Sequence, residues 1–336
     1  MDICPQCGAA NRLGARFCSK CRTTLSGGVL PSFAGQPKPM AVLQNGRYQL
    51  VRKLGEGGMG AVYEAQDLRA NRKCAIKEML DKHTDPQQRA EAERSFQREI
   101  DILGGLYHVS IPEFHDTFTE ANRHFLVMEY IEGHDLEHGL SQFDENDGIL
   151  QHGSPLSWPD AVKYAIQICD VLTYLHTHKP NPIIYRDLKP ANVMIADNGR
   201  RLVLTDFGIA RFFAPHTKGT AIGTPGYVPP EQYAGVVEAR SDLYALAATL
   251  HHLLTDDDPR QSRRQRNPFT FPRMRSYNAS LPSWLDEIVA ANLRYDIAER
   301  YDSAQQLRDC LMAQTPFVHH GRGSNQGTLA RVRPSR

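Results

Sequence analysis

A carboxylate, an amine and an amide stand close together in Asp187-Leu-Lys-Pro-Ala-Asn192, behind the apolar lead-in Ile183-Ile184. A second carboxylate, Asp206, follows in Thr-Asp-Phe-Gly, again behind an apolar run, Leu202-Val-Leu204. Transfer of a phosphoryl group from ATP needs such a set. Asp187 would orient the attacking hydroxyl, and Asp206 would hold the metal ions that neutralise charge on the phosphates. The amide oxygen of Asn192 would complete the metal shell, while Lys189 offsets charge on the moving group. Either stretch alone reads as a turn; the pair of them specifies phosphoryl-transfer chemistry.

Such a site needs a cover for the phosphates and strands to carry it. Tyr48 to Leu54 reads as a strand and runs into Gly55-Glu56-Gly57-Gly58-Met59-Gly60, then Ala61-Val62-Tyr63. A dinucleotide-binding unit would require a helix after the glycines. Here β-type residues follow, and Lys73-Cys-Ala-Ile-Lys77 is strand-like again. The expectation is a strand-glycine-strand hairpin whose backbone covers phosphates, with Lys77 reaching the α- and β-phosphates. A Walker lysine pattern is absent. Residues 86–105 read as a helix, because Phe96, Ile100 and Leu103 repeat at helical spacing. Two strands follow, one from Ile111 and one from Arg123, and the second ends in a turn at Gly133. Residues 141–157, rich in Asp, Asn, Gly and Ser, are expected to form a surface loop. Pro159 then opens a helix whose buried face would comprise Val162, Ala165, Ile166, Cys169, Leu172 and Leu175. His176 and His178 at its end suit helix-end cations better than ligands.

Taken together, residues 46–312 resemble a bacterial Hanks-type (eukaryotic-like) serine/threonine protein kinase. The resemblance implies an α+β, two-lobed protein kinase fold, with a β-rich lobe over about 46–130 and a helical lobe over about 131–314. It implies transfer of the ATP γ-phosphate to Ser and Thr hydroxyls of proteins, the chain itself included, with magnesium or manganese. By motif, Asp187 is the catalytic base with Lys189 beside it, and Asn192 and Asp206 bind magnesium. Family register pairs Lys77 with Glu99. The nucleotide is expected against Leu54, Val62 and Ala75, under the loop of Gly55, Glu56, Gly57, Gly58, Met59 and Gly60. Met128 takes the gatekeeper position, and Glu129 and Ile131 supply main-chain contacts to adenine. Thr224, in Gly-Thr-Pro-Gly-Tyr, would contact Asp187 and Lys189 near the acceptor. Arg186 beside the catalytic aspartate implies control by phosphate on Thr217 or Thr220. Asp242 would brace the catalytic loop, or cap its own helix, or both. Two departures stand out: Tyr185 replaces the usual His, and Pro229-Pro-Glu231 replaces Ala-Pro-Glu. An aromatic fills the first position, and the second keeps the carboxylate for which Arg300 is the expected partner.

Ahead of this lies Cys4-Pro-Gln-Cys7 and, ten residues on, Cys18-Ser-Lys-Cys21. Each knuckle aims two thiolates at one point, and two knuckles complete a Cys4 shell for Zn2+. Residues 1–22 are too short for a useful core, so the metal would supply their folding energy. Disulfides or a redox dithiol fit less well, since neither a secreted compartment nor a βαβ pattern is indicated. Cys74, Cys169 and Cys310 read as core or surface thiols. Residues 23–45, with their Gly, Pro and Ser, form an expected linker, and 315–336 an expected disordered tail.

The formal net charge of +1 gives no general basic field for nucleic acid or membrane. No apolar run nears the ~20 residues of a membrane span, and the N-terminus lacks a secretory layout. A cytoplasmic protein is expected. Arg260, Arg263, Arg264 and Arg266 form either a solvated loop or a docking site for an acidic partner. The rival functions are a weakly active kinase-fold scaffold whose ribbon recruits a protein or nucleic-acid partner, and a small-molecule kinase. Lys77, Asp187 and Asp206 speak against the first, and the Gly-Thr-Pro-Gly-Tyr segment against the second. A protein partner for the ribbon and a homodimer for trans-autophosphorylation stay open.

Overall fold

The computed structural model describes residues 2–3, 10–11, 41–57, 60–79, 86–121, 123–139, 141–143, 150–152, 155–207, 223–261 and 269–315. The candidate zinc ligands Cys4, Cys7, Cys18 and Cys21 lie outside these, as do Gly58, Met59, Thr217, Thr220, Arg263, Arg264 and Arg266. Within the ribbon stretch, β1 (Asp2–Ile3) pairs antiparallel with β2 (Ala10–Asn11).

The first lobe is built on a six-stranded antiparallel sheet. Its strands are β3 (Val42–Leu43), β4 (Tyr48–Gly57), β5 (Gly60–Asp67), β6 (Arg72–Met79), β7 (Phe114–Glu120) and β8 (Arg123–Glu129), in the order β3-β4-β5-β6-β8-β7. Alternation fixes which face is inside: Ala61, Tyr63 and Ala65 of β5 are buried with Tyr48, Leu50, Ile76, Phe125 and Val127. The sheet begins earlier than position 46, because Val42 and Leu43 pair with Gln49 and Tyr48. Helix α1 (Pro86–Gly104) crosses between β6 and β7 and buries Ile100 with Met79 and Leu126. Gly60 permits the tight turn into β5. At φ +141, a Cβ there would lie 1.9 Å from the Glu78 carbonyl.

The second lobe opens with β9 (Gly133–Asp135) and the short α2 (Leu136–Gly139). The stretch expected as a loop contains a small hairpin, β10 (Ser141–Phe143) with β11 (Leu150–His152). Helix α3 (Trp158–His176) is capped by Ser157, whose hydroxyl accepts from the Asp160 N–H. Its buried stripe includes Ile168 and Val171, and Ile166 is only half-buried. After it come β12 (Val193–Ala196), β13 (Arg201–Leu204), α4 (Pro230–Tyr233), α5 (Ala239–Thr255), α6 (Ser283–Asn292) and α7 (Ala304–Ala313). Helix α5 is buried on nearly every side, which places it in the middle of the lobe. Leu243 and Leu246 of α5 are fully buried, as are Leu172 and Leu175 of α3, each contributing about 2 kcal/mol of hydrophobic stabilisation. Among the described residues, no helix is long and apolar enough to cross a membrane.

Candidate active site

An amide and a carboxylate from separate stretches are brought together because β12 and β13 form an antiparallel pair. The register sets Val193 opposite Leu204, and the Thr205 N–H donates to the Asn192 carbonyl at 2.9 Å. Asn192, which precedes β12, and Asp206, which follows β13, therefore emerge side by side.

Asn192 is buried and closes a turn over Pro190–Asn192. Its Nδ2 donates to the Asp187 carbonyl at 2.8 Å and to Asp187 Oδ2 at 3.0 Å. With its donor spent there, the amide can offer a cation only its oxygen, the atom type magnesium prefers. Thr224 completes the group. Its hydroxyl donates to Asp187 Oδ1 at 3.2 Å and accepts from Lys189 Nζ at 2.7 Å. Lys189 Nζ also lies 3.6 Å from Asp187 Oδ2. The Thr224 segment is seated tightly: at Gly226, φ +92, a Cβ would meet the Pro259 carbonyl at 2.6 Å.

The loop carrying Asp187 is held from below by Asp242, which is fully buried at the start of α5. Asp242 accepts the N–H groups of Tyr185 and Arg186, each at 2.8 Å, and its Oδ2 lies 2.8 Å from His176 Nε2. The brace is thus a carboxylate to two amides, and His176 belongs to it rather than to solvent. Tyr185 bonds the Thr205 carbonyl through its hydroxyl and meets Phe207 edge-on at 5.3 Å. An aromatic residue there ties the Asp187 loop to the Asp206 segment.

Asp206 adopts φ 61, which turns its carboxylate back toward the sheet, where it pairs with Lys77 Nζ. Aspartate tolerates a left-handed backbone better than most residues other than glycine. The described carboxylate on Lys77 is therefore that of Asp206. Glu99 lies on α1, and its side chain is outside the described residues.

Between the lobes lies a cleft of about 520 Å³. Leu54, Gly55, Val62, Ala75, Lys77, Met128, Glu129, Ile131 and Asp206 all line it. Its apolar members make a slot for a flat base, and Lys77 and Asp206 mark the end suited to phosphates and cations. Glu56 turns instead to Lys53 at 2.7 Å, and Gly57 faces Gly60 across the turn. The lining also includes Met194, Thr205, Phe207, His134, Asp135 and His138, none anticipated from the sequence. Asp135 Oδ1 accepts the His138 N–H at 2.6 Å and so starts α2. His134 and Asp135 reach the rim because Gly133 does not turn the chain there, as the sequence suggested, but opens β9, which pairs with β12.

A family model described as protein kinase domain matches residues 48–312, and one described as zinc-ribbon domain matches residues 3–21. Serine/threonine-protein kinase B of Synechocystis sp. is 31% identical over 300 residues, covering 82% of this chain and 50% of that protein. Serine/threonine-protein kinase PknD of Mycobacterium tuberculosis is 35% identical over 283 residues, covering 80% of this chain and 40% of PknD. This chain thus spans half or less of the length of these relatives. The crystal structure of the Mycobacterium tuberculosis PknI kinase domain superposes with a TM-score of 0.62 at 28% identity, covering 80% of this chain and 96% of that one.

Proposed function

The chain belongs to the protein kinase family, and from that premise we propose that it transfers the γ-phosphate of ATP to serine and threonine hydroxyls of proteins, its own included. The observation that carries this reading is the closed group of Asp187, Lys189, Asn192 and Thr224, set beside the Lys77–Asp206 pair. Asp187 acts as catalytic base. One of its oxygens is steadied by Asn192 and the other by Thr224, so the carboxylate faces an incoming hydroxyl in a fixed orientation. Lys189 lies close enough to offset charge on the transferred group.

Asp206 and the Asn192 amide oxygen would hold magnesium, an all-oxygen donor pair that suits a hard cation. Held there, the cation would supply neutralisation of the phosphate charge. Lys77 would leave Asp206 for the phosphates, with Glu99 as its carboxylate support from α1. The adenine would lie between Leu54, Val62, Ala75 and Met194, against the main chain of Glu129 and Ile131.

The four cysteines Cys4, Cys7, Cys18 and Cys21 would hold one zinc, since two Cys-x-x-Cys knuckles supply four soft thiolates. The ribbon is then free to take a protein partner. The protein would work in bacterial signalling and in the cytoplasm, where ATP and magnesium are supplied.

The test is transfer of labelled phosphate from ATP to a generic protein substrate. Lys77→Met and Asp187→Asn should each lower turnover about a thousandfold or more with the fold retained. Undiminished incorporation by either purified variant rejects the assignment.

A further inference from the structure

Arg201 opens β13, and Glu129 closes β8 at the edge of the cleft. Arg201 donates Nη1 to Glu129 Oε1 at 2.6 Å and Nη2 to Oε2 at 2.9 Å. Its Nε donates to the Val109 carbonyl at 2.8 Å. The Glu113 N–H reaches Glu129 Oε2 at 3.2 Å, and the Glu129 N–H donates to the Glu113 carbonyl at 2.8 Å. The side chains are 23% and 29% exposed, so solvent only partly screens the pair. Burial pushes the Glu129 carboxyl up, but the bonds from Arg201 and Glu113 outweigh it and hold it below its ordinary value. The bond to Glu129 holds Arg201 above its own.

The geometry points to Arg201 as a positioning residue for the nucleotide base, fixing the main chain at Glu129 relative to the strand that delivers Asp206. The inference rests on the cleft being a nucleotide site. Three features carry it. The Glu129 N–H is already engaged, so a base can meet that residue's main chain only at the carbonyl, whose place follows from how Glu129 is anchored. Strand β13 is tied at both ends to one loop: Arg201 holds Val109, and the Leu204 N–H donates to the Ser110 carbonyl at 2.9 Å. Asp206 follows that strand by two residues. The base end and the cation end of the cleft are therefore held by opposite ends of one short strand. Arginine suits this place because its planar fork makes two bonds to the carboxylate and a third to the loop, which lysine cannot.

Without Arg201, the main chain at Glu129 would have to be ordered by the nucleotide itself, and the cost would appear in affinity. The chemical step, which depends on Asp187 and Asp206, would be little changed once nucleotide is bound. Loss of Arg201 therefore separates KM from kcat, which a general loss of structure would not do.

The experiment measures the Kd of a non-hydrolysable ATP analogue by calorimetry, together with KM for ATP and kcat. Arg201→Ala should raise Kd and KM together by about tenfold while kcat at saturating ATP moves less than about twofold. Arg201→Lys should recover part of the loss. Glu129→Gln keeps the shape without the charge and should weaken nucleotide binding in the same direction. The double variant should bind no more weakly than Arg201→Ala, because both changes remove one interaction. Wild-type affinity in Arg201→Ala, a fall in kcat with KM unmoved, or fully additive losses in the double variant would overturn the inference. Should Arg201→Ala not fold, Arg201→Lys and Glu129→Gln decide by the same criteria. A wild-type protein that binds no nucleotide overturns the functional reading as well. A wild type that binds, with Arg201→Ala binding equally, overturns the role of Arg201 alone.

Discussion

Arg300 sets its guanidinium on the Glu231 carboxylate in a two-pronged ion pair, Nη1 to Oε1 at 2.7 Å and Nη2 to Oε2 at 2.9 Å. Arg300 is completely buried, stacks on Tyr244 at 4.8 Å, and also donates to the carbonyls of Arg294 and Tyr295. Ser241 adds a hydrogen bond to Glu231 at 2.8 Å. The pair locks the end of the Thr224 segment to the last part of the domain, and removing one partner strands the other charge in the interior. Glu231→Gln or Arg300→Met should destabilise the protein by about 3 kcal/mol, read as a fall in thermal midpoint of roughly 10 °C. Arg300→Lys should recover little, since lysine cannot reproduce the fork. A midpoint within about 2 °C of wild type would show that the pair contributes nothing net.

The Thr224 hydroxyl lies between Lys189 and Asp187 as acceptor to one and donor to the other. Thr224→Val keeps the volume and removes both bonds, so Asp187 loses one of its two orienting contacts. The expected result is a loss of about a hundredfold in kcat with a small change in KM for ATP. Thr224→Ser retains the hydroxyl and should retain most of the rate. Equal rates for the valine and serine variants would remove Thr224 from the catalytic group.

Much of this site was legible in the sequence because its chemistry restricts residue type. The proposed reaction calls for a basic oxygen, which Asp187 can supply, and for cation-binding oxygens, which Asn192 and Asp206 can supply. A short antiparallel pair then has to set the last two side by side, as β12 and β13 do. The Glu231–Arg300 pair followed from family register for the same reason. Other features were not legible. Arg201 and Glu129 each look like a solvated strand residue, and nothing local signals a contact across 72 positions. The hairpin of β10 and β11 hid in a stretch whose polar composition reads as loop, because its strands are only three residues long. Lys77 meets Asp206 through the left-handed backbone of Asp206, a conformation that residue identity alone does not announce. The early start of the sheet at Val42 has no sequence signal, because a two-residue strand carries no periodicity.

His252 lies inside the helical lobe, 4% exposed, with its Nδ1 2.6 Å from the Tyr227 hydroxyl. Burial pushes the Tyr227 phenol above its ordinary range, so the phenol keeps its proton and donates to a neutral imidazole. Burial likewise holds His252 below its ordinary value of 6.5. As the pH falls, the unfolded chain takes this proton before the folded one does. The stability that the neutral imidazole represents is complete above the ordinary histidine range and is lost as the pH falls through and below it. Burial shifts His108 and His115 in the same direction. Glu129 and Asp258 are held low by arginine partners against the upward push of burial, so their contribution goes later, as the pH falls through the carboxylate range. The thermal midpoint should therefore fall from about pH 7 to pH 5, and His252→Gln should flatten that part of the curve. A flat wild-type curve over this window would contradict the assignment of His252 as a buried neutral group.

Metal analysis should find about one zinc per chain, bound through Cys4, Cys7, Cys18 and Cys21. Chelation should unfold the ribbon stretch and leave most of the basal transfer rate, because none of the active-site residues lies within it. Cys18→Ser with Cys21→Ser should abolish zinc binding with the same retention of rate. Zinc-free protein containing disulfides would reject the ribbon.

Arg186 is pinned on both sides of its backbone while its side chain stays exposed. Its N–H donates to Asp242 at 2.8 Å, its carbonyl accepts from Gln232 Nε2 at 3.1 Å, and it holds a left-handed φ of 70. A backbone fixed in this way aims the guanidinium at one region without fixing what it binds. A phosphate on Thr217 or Thr220 brings about −1.5 to −2 charges and several acceptor oxygens. Arg186 can meet it with a charge-assisted, two-pronged contact. Because Arg186 adjoins Asp187, the contact would order the segment between Asp206 and Glu231 around the catalytic group. Autophosphorylated wild type, mapped by mass spectrometry, should therefore be at least about tenfold more active than Thr217→Ala/Thr220→Ala. Arg186→Ala should take phosphate at the same threonines when supplied with active enzyme, and should gain no rate from it. A double threonine variant as active as a wild type shown to be phosphorylated there would exclude this switch. An Arg186→Ala enzyme that is fully stimulated would keep the phosphate but assign its recognition to another cation.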